Sequence, residues 1–220
     1  MMSVIRKTIV GVSGVIVMLS LSACEGIFEH IYDAPLAEEN KIYGFIAVDD
    51  KTHTGRIYID ATDYTEWHYI DLIHKEVVTK HVDEEAPSHW SFAVHRYDAK
   101  THAGAVLESD ATDFSSLPSI QSLPEERFVT DEWTTRKITV DMSQMMDGVI
   151  RYAEDYYNSC LSKWLHVDTS TMPPLYSLSG KIYLLRLSDD SYAALRLSNY
   201  MNDAAVKGFM TIDYLYPVEL

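Results

Sequence analysis

The sequence contains little cysteine, few basic residues and no long apolar run. Its two cysteines are Cys24 and Cys160, which excludes a disulfide-rich framework. Eighteen Lys and Arg residues stand against 33 Asp and Glu residues, for a formal net charge of −15. The longest apolar run, residues 8–20, is too short to cross a bilayer as a helix. These shortages argue against a disulfide scaffold, a nucleic-acid-binding protein and a protein held by membrane-spanning helices.

The N-terminal residues are typical of an exported lipoprotein. Arg6 and Lys7 precede the apolar run, and residues 21–24, LSAC, resemble a bacterial lipobox. We therefore predict that residues 1–23 are a signal peptide and that Cys24 is lipidated after cleavage. The acyl chains on Cys24 would anchor the protein to a membrane, which we expect to be the outer membrane, with the protein at the cell surface.

Loss of the signal peptide would make the protein still more acidic. Without Arg6 and Lys7, 16 basic residues remain against 33 acidic ones, a net charge of −17. Such a surface repels nucleic acid and anionic lipid headgroups, so we expect no nucleic-acid partner. With Cys24 lipidated, only Cys160 remains, so we expect no intrachain disulfide in the mature fold, which must depend on its hydrophobic core.

Beyond the signal peptide, we predict an acidic tether at residues 24–41 and one domain at residues 42–220. Alternating apolar and polar residues dominate this domain, which predicts an all-β, mostly antiparallel fold with at most one short helix. A hairpin is predicted around Asp189 and Asp190, and a closing strand before Pro217. The segments with the clearest strand pattern are residues 41–49, 55–62, 89–98, 135–142, 181–188, 191–200 and 208–217.

Two segments depart from the strand pattern. Residues 146–165 place Val149, Tyr152, Ala153 and Tyr156 at helical spacing, so this segment is the candidate for the short helix. Residues 113–128 contain two prolines and no periodicity, which predicts a long loop.

The sequence contains no motif of the common enzyme classes. No H-E-x-x-H or paired-cysteine motif occurs, which argues against a zinc enzyme. No G-x-S-x-G elbow or glycine-rich phosphate loop occurs either. We therefore expect a binding protein and not an enzyme.

Two blocks of sequence resemble the HmuY-like haem-binding lipoproteins of the Bacteroidota. Residues 90–98, WSFAVHRYD, and residues 101–104, THAG, are similar to the W-x-x-A-x-H-R … T-N-x-G signature of that family. His102 stands where the family commonly has asparagine. The C-terminal residues that resemble the family's closing strands are Tyr183 to Arg186, Tyr192 to Arg196, Gly208 and Tyr214.

The resemblance implies a haem pocket between hairpin tips, with two axial ligands from loops in the C-terminal half. Some members use histidine pairs and others methionine pairs. Methionines are unusual in polar turns, yet Met145, Met146 and Met172 occupy two such turns here. We predict Met145 and Met172 as the axial ligands of haem b, with Met146 as the substitute for Met145.

Other side chains near these turns are candidates for the wall of the pocket or rivals for the iron. Tyr176 and Trp164 are predicted to contact the porphyrin, and Tyr156, Tyr157 and Leu175 are further candidates. Arg151 or Lys163 could meet the propionates. His102 and His166 are the rival axial ligands. Met142 is predicted to be a core residue because it continues the face of Ile138 and Val140, and His95 is predicted to be a structural histidine.

The resemblance further implies a haemophore-like lipoprotein. Such a protein would take haem from host haemoproteins and deliver it to a TonB-dependent haem receptor in the outer membrane. The alternative from another class is a glycan-binding surface lipoprotein, because β-rich lipoproteins with exposed Trp and Tyr often bind sugars.

Overall fold

A computed structural model describes residues 42–219 of the chain. The predicted signal peptide, the tether and Cys24 lie outside the described residues. Residues 42–219 contain fifteen strands and five short 3₁₀ helices. Among these residues no helix is long and apolar enough to cross a membrane. The all-β prediction is confirmed.

Seven antiparallel strands form the larger sheet, in the order β1-β2-β15-β14-β13-β7-β8. The predicted hairpin around Asp189 and Asp190 joins β13 to β14, and the last strand ends two residues before Pro217. The strands of this sheet are β1 (Gly44–Asp49), β2 (Thr54–Asp60), β7 (Ala105–Glu108), β8 (Val129–Thr130), β13 (Tyr183–Arg186), β14 (Tyr192–Met201) and β15 (Lys207–Leu215).

The remaining strands form a four-stranded sheet and two separate hairpins. The four-stranded sheet has the order β4-β3-β5-β6, and all of its pairings are antiparallel. Its strands are β3 (Glu66–Asp71), β4 (Glu76–His81), β5 (Phe92–His95) and β6 (Asp98–Thr101). The first hairpin pairs β9 (Glu132–Asp141) with β10 (Arg151–Tyr157), and the second pairs β11 (Leu165–Asp168) with β12 (Leu175–Leu178).

The main core lies between the seven-stranded and four-stranded sheets. Alternating residues of β2 and β15 face it from the larger sheet, including Ile57 and Ile212. Phe92 and Val94 of β5 face it from the smaller sheet. Each such side chain contributes roughly 1.5–3 kcal/mol of burial free energy. The fold therefore takes most of its stability from this layer and not from a disulfide.

The outer face of each sheet is covered by different parts of the chain. Residues 113–128, predicted to be a long loop, form three 3₁₀ helices (Phe114–Ser116, Ile120–Ser122 and Glu125–Arg127) over the larger sheet. The first hairpin covers the smaller sheet, where Ile138 is fully buried against Trp67 and Tyr69. The face of this hairpin that points away from the sheet is left exposed.

The prediction of a helix within residues 146–165 is wrong. Arg151–Tyr157 is a strand that pairs along its length with β9, from Asp141 at the tip to Glu132 at the base. Pairing with β9 satisfies the backbone groups of both strands, and this non-local contact overrides the weak helical spacing. One turn of 3₁₀ helix, Leu161–Trp164, follows before β11.

Candidate functional site

The tip of the first hairpin presents two of the three candidate methionines. Met145–Asp147 form a 3₁₀ turn, in which the N–H of Gly148 donates to the carbonyl oxygen of Met145 at 3.0 Å. Gly148 has a φ of +76°, so the chain reverses there without steric strain. The side chain of Met145 is 41% exposed and that of Met146 is 91% exposed. Both sulfur atoms therefore belong to surface side chains.

The tip of the second hairpin presents Met172. The carboxylate of Asp168 accepts a hydrogen bond from the Ser170 N–H at 2.8 Å, and the Thr171 hydroxyl donates to the carbonyl oxygen of Pro173 at 3.1 Å. These contacts organise the turn on both sides of Met172, whose side chain is 84% exposed. The structure thus places the two predicted ligands on separate hairpin tips.

The exposed apolar surface is concentrated on these two hairpins. Within residues 42–219, nine of the fifteen large hydrophobic side chains that are exposed belong to the hairpins. Such surface costs free energy in water unless something covers it. The nine are Trp133, Met142, Met145, Met146, Val149, Tyr152, Tyr156, Met172 and Leu175, and the other six are Ile42, Tyr43, Val48, Ile73, Val129 and Val206.

The observed position of Met142 shows that one prediction from strand alternation was wrong. It was expected in the core with Ile138 and Val140, but it is 36% exposed. Strand β9 ends at Asp141, and the side chain of Asp141 accepts a hydrogen bond from the Ser143 N–H at 2.8 Å as the chain turns. The alternation of the strand therefore stops one residue before Met142.

Trp164 and Tyr176, both predicted as porphyrin contacts, lie in different environments. Trp164 is fully buried in the main core, and its indole N–H donates to the carbonyl oxygen of Tyr97 at 2.7 Å. With no exposed surface, Trp164 supports the base of the second hairpin and is not placed to touch a ligand. Tyr176 is half-buried, and its ring stacks on Tyr200 with centroids 5.7 Å apart. Only Tyr176 of this pair remains a candidate contact.

The rival histidines are also separated by the structure. His166 is exposed on β11, opposite Ser177, and therefore shares a hairpin with Met172. His102 lies outside both hairpins, where its ring stacks on Trp90 with centroids 4.8 Å apart. Its Nδ1 lies 3.1 Å from the carbonyl oxygen of Trp90. His166 is therefore the better placed of the two histidine alternatives.

His95 is a structural histidine, as the sequence predicted. It is fully buried, and its Nε2 lies 2.8 Å from the carbonyl oxygen of Tyr64, so Nε2 carries the proton and donates. Burial lowers the pKa of His95 to about 4, which keeps the ring neutral.

The signature residues hold the sheets together. Arg96 forms the turn between β5 and β6 and donates from Nη1 to the carbonyl oxygens of Ala61 and Thr62, at 3.2 and 3.1 Å. Gly104 lies so close to the carbonyl oxygen of Arg186 that a Cβ there would be 2.5 Å from it. These contacts connect the signature residues to the end of β2 and to β13.

The described residues fit a flat apolar ligand with a soft metal better than a bare cation. Among residues 42–219, no group of three or more His, Cys, Asp or Glu side chains could hold a metal ion. Thioether sulfur is a neutral, soft donor that suits haem iron. Trp133 and Tyr152 add exposed aromatic surface to the first hairpin, with exposures of 56% and 38%. Sequence reasoning did not select Trp133, although a large aromatic residue among polar strand neighbours is a usable signal.

Comparisons with known proteins agree with this architecture. A crystal structure from Bacteroides vulgatus, provisionally described as an HmuY-like heme-binding protein, is 56% identical, with a TM-score of 0.76, and the match covers 81% of this chain and 100% of that one. A lipoprotein, also provisionally described, from Bacteroides fragilis is 49% identical, with a TM-score of 0.77 and coverages of 84% and 100%.

A more distant structure has the same fold. The apo HmuY analogue of Tannerella forsythia is 23% identical, with a TM-score of 0.61, and the match covers 76% of this chain and 97% of that one. No curated protein matches the sequence significantly. The family model described as HmuY protein matches residues 63–214, which span both hairpins and the signature. The chain therefore belongs to the HmuY family.

Proposed function

We propose that this protein is a haemophore-like lipoprotein that binds haem b between its two hairpin tips, with Met145 and Met172 as the axial ligands. The observation that carries the proposal is the concentration of exposed apolar side chains, including four methionines, on these hairpins. A porphyrin would cover this surface and remove it from water. Membership of the HmuY family and the description of the Bacteroides vulgatus relative as heme-binding support the same ligand.

The proposed ligands suit transport of haem and not chemistry on it. Met145 and Met172 would fill both axial positions, which leaves no open coordination site for oxygen or substrate. Thioether sulfur stabilises ferrous over ferric iron, so the site should prefer reduced haem. Met146 stands next to Met145 and is the substitute ligand. Arg151, whose side chain is 70% exposed and lies 3.9 Å from the carboxylate of Asp141, would meet a propionate at the first tip.

The remaining parts of the proposal concern location and partners. Cys24 would carry the acyl chains that anchor the protein at the outer membrane, with the domain at the cell surface. Host haemoproteins would supply the haem, and an outer-membrane TonB-dependent receptor would accept it. A relative described as a lipoprotein supports the anchor.

A haem titration of the purified protein under oxidising and reducing conditions tests the proposal. We expect a Soret band and tighter binding of ferrous than of ferric haem. The double variant Met145→Ala, Met172→Ala should lose the six-coordinate spectrum and keep the far-UV circular dichroism of the wild type, because both side chains lie on exposed tips. Met142→Ala is the matched control, since it removes an exposed methionine of the same tip and should change neither result.

Two outcomes would overturn the methionine assignment. One is a wild-type spectrum in the double variant together with its loss in His166→Ala, which would assign the iron to histidine. The other is tighter binding of ferric haem by the wild-type protein. Absence of any Soret band in the wild type would overturn haem binding itself.

A further inference from the structure

A cavity lies away from the methionine-bearing tips, between signature residues 101–104 and strand β10. Its volume is about 530 Å³, within the usual range for small-molecule sites. Trp90 and His102 line it from the signature, and Tyr156 lines it from β10. Lys100, Asp131 and Asp155 supply its charged groups. Neither Met145 nor Met172 is among its lining residues.

The cavity has fixed aromatic walls. The indole of Trp90 stacks on the ring of His102 with an interplanar angle of 11°, and the rings of Trp90 and Tyr69 meet at 82° with centroids 5.0 Å apart. The contact between His102 Nδ1 and the Trp90 carbonyl oxygen holds this stack in place. Tyr156 provides a second ring, which is 53% exposed. Two aromatic rings thus border the cavity, and one of them is held rigidly.

The charged groups of the cavity are equally well ordered. Lys100 Nζ lies 2.7 Å from Asp155 Oδ2, and their side chains are only 7% and 17% exposed. Asp131 accepts hydrogen bonds from the Thr101 N–H at 2.6 Å and from the Asn158 side chain at 2.8 Å. Asp131 also accepts from the Thr101 hydroxyl at 3.0 Å, and Asp155 accepts from the Tyr156 N–H at 2.7 Å. A carboxylate offers about four acceptor positions, so about one on Asp131 and two on Asp155 remain for further donors. These groups are positioned before any ligand arrives.

A structural role for these contacts does not account for the cavity. The Lys100–Asp155 pair does join β6 to β10, which holds the first hairpin against the smaller sheet. An open volume of about 530 Å³ beside buried charges and aromatic rings is instead typical of a binding site.

The charge balance restricts the ligand. Lys100 is matched by Asp155, and Asp131 adds a further carboxylate, so the cavity does not favour an anion. A cationic ligand would find one uncompensated carboxylate, that of Asp131, whose oxygens already accept from Thr101 and Asn158, and it would lie beside the ammonium group of Lys100. A neutral ligand remains. It should have an apolar face for the rings and hydroxyl groups for the two carboxylates and Lys100.

We propose that this cavity is a carbohydrate-binding site, separate from the haem site, that takes one neutral pyranose ring. The C–H face of the sugar would lie on Trp90 or Tyr156, and its hydroxyl groups would donate to Asp131 and Asp155 and accept from Lys100. The same ring chemistry occurs in free sugars and in glycan chains. A glycan-binding site beside a haem site would place the protein on glycosylated surfaces from which haem is taken.

Saturation-transfer NMR and calorimetry with neutral methyl pyranosides of glucose, galactose, mannose and N-acetylglucosamine test the proposal. We expect at least one to bind, with the strongest transfer to its ring C–H protons. Cyclohexanol is the control ligand, because it has the ring without the hydroxyl pattern. A trisaccharide of the sugar that binds distinguishes free sugars from glycan chains as the ligand. A site for glycan chains should bind the trisaccharide more tightly than the methyl glycoside.

Variants of the exposed wall give the decisive comparison. Tyr156→Ala should weaken sugar binding about tenfold, as expected for loss of one aromatic contact. Thr130→Trp should abolish binding by filling the cavity, since Thr130 is an exposed lining residue on a strand. Tyr152 lies on β10 with Tyr156 but outside the cavity lining, so Tyr152→Ala should leave sugar binding unchanged. The Met145→Ala, Met172→Ala protein should also bind sugar normally.

Several results would overturn the carbohydrate site. These are the absence of binding by all four glycosides, equal binding of cyclohexanol, or glycoside binding that survives Thr130→Trp. Displacement of the glycoside by one equivalent of haem would assign the cavity to the haem site instead. Because the methionine variant separates the two sites, failure of haem binding alone leaves the sugar result unchanged.

Discussion

Arg96 and Gly208 lie against each other, and this contact connects the signature turn to the first part of the last strand. A Cβ atom on Gly208 would collide with Nη1 of Arg96, the atom that donates to Ala61 and Thr62. Gly208 also has a φ of +107°, a conformation that residues with a side chain rarely adopt. The fold therefore requires glycine at this position for two independent reasons.

Substitution of this glycine should be strongly destabilising. We expect Gly208→Ala to lower the free energy of unfolding by about 2–4 kcal/mol, from backbone strain together with displacement of Arg96. Urea denaturation followed by circular dichroism measures the change. Gly148→Ala is the matched control, because Gly148 also has a positive φ but nothing within 4 Å, so it should cost only about 1–2 kcal/mol. Equal losses in both variants would contradict the role of Arg96.

His95 should make the protein less stable in acid. Burial lowers its pKa from 6.5 to about 4 in the folded state, so folding favours the neutral ring. The neutral ring therefore contributes about 3 kcal/mol to the free energy of unfolding. This contribution is fully present above about pH 6.5 and is lost as the pH falls towards 4. Arg96 and His68 repel the charged form and act in the same direction. Urea unfolding at pH 7, 5.5 and 4.5 should show this decline.

His95→Gln gives the corresponding variant. It keeps a side-chain donor for the carbonyl oxygen of Tyr64 but cannot titrate, so its stability should depend less on pH between 6.5 and 4. The variant should also be less stable than the wild type at pH 7, because the ring is lost from the core. An unchanged pH dependence would show that other groups control the acid response.

Asp98 should have the opposite effect on the pH dependence of stability. Burial raises the pKa of Asp98 to about 7, and Lys137 only partly opposes this shift. The folded state therefore holds the proton more tightly than the unfolded chain, so stability falls as pH rises from about 4 through 7. Asp98→Asn should be more stable than the wild type at pH 8, and the difference should vanish by pH 4. Denaturation curves across this range provide the measurement.

A control for Asp98 is available at Asp63. Hydrogen bonds from the N–H and the hydroxyl of Thr65 lower the pKa of Asp63, so this carboxylate stabilises the fold at neutral pH. Asp63→Asn should therefore lose stability at pH 8, the reverse of Asp98→Asn. A gain in both variants would point to the overall negative charge and not to the local environment.

The two proposed haem ligands should not be equivalent. Met145 has Met146 beside it in the same turn, with a side chain that is 91% exposed and free to reorient. Met172 has no neighbouring methionine in its turn. We expect Met172→Ala to reduce haem affinity and the low-spin reduced spectrum more than Met145→Ala does. The double variant Met145→Ala, Met146→Ala should then lose as much haem affinity as Met172→Ala. A smaller loss in the double variant would exclude Met146 as the substitute ligand.

Cys24 should determine where the protein is found in the cell. Cys24→Ser removes the predicted acylation site, so the variant should move from the membrane fraction to the soluble fraction. Immunoblotting of the two fractions measures the distribution. Cys160→Ser is the control, because Cys160 is a buried thiol of the domain and should leave the distribution unchanged. Retention of the Cys24→Ser protein in membranes would contradict the lipid anchor.

The local sequence was sufficient to predict the positions of most of the strands. Alternation located the strands around Ile57 and Ile212, and the acidic pair at residues 189–190 located the hairpin between β13 and β14. Pro217 correctly predicted the end of the last strand. These features depend on neighbouring residues, because side-chain alternation and turn propensity are properties of short segments.

Tertiary structure decided the features that depend on distant partners. Residues 151–157 have helical spacing but pair with β9, and Met142 follows a strand face yet lies in a turn. Trp164 resembles a pocket residue in sequence, but it packs in the core and donates to Tyr97. Burial depends on which strand or turn covers a residue, and that is a property of the whole fold.

The sequence by itself determined the fold class, the family and which turns carry methionine, because periodicity and motifs are readable along the chain. Only the tertiary structure placed Met145 and Met172 on two separate exposed tips. It also brought Trp90, Lys100 and Asp155 around one cavity, although Lys100 and Asp155 are 55 residues apart in sequence. Contacts of that range arise from sheet packing, which no local pattern of residues specifies.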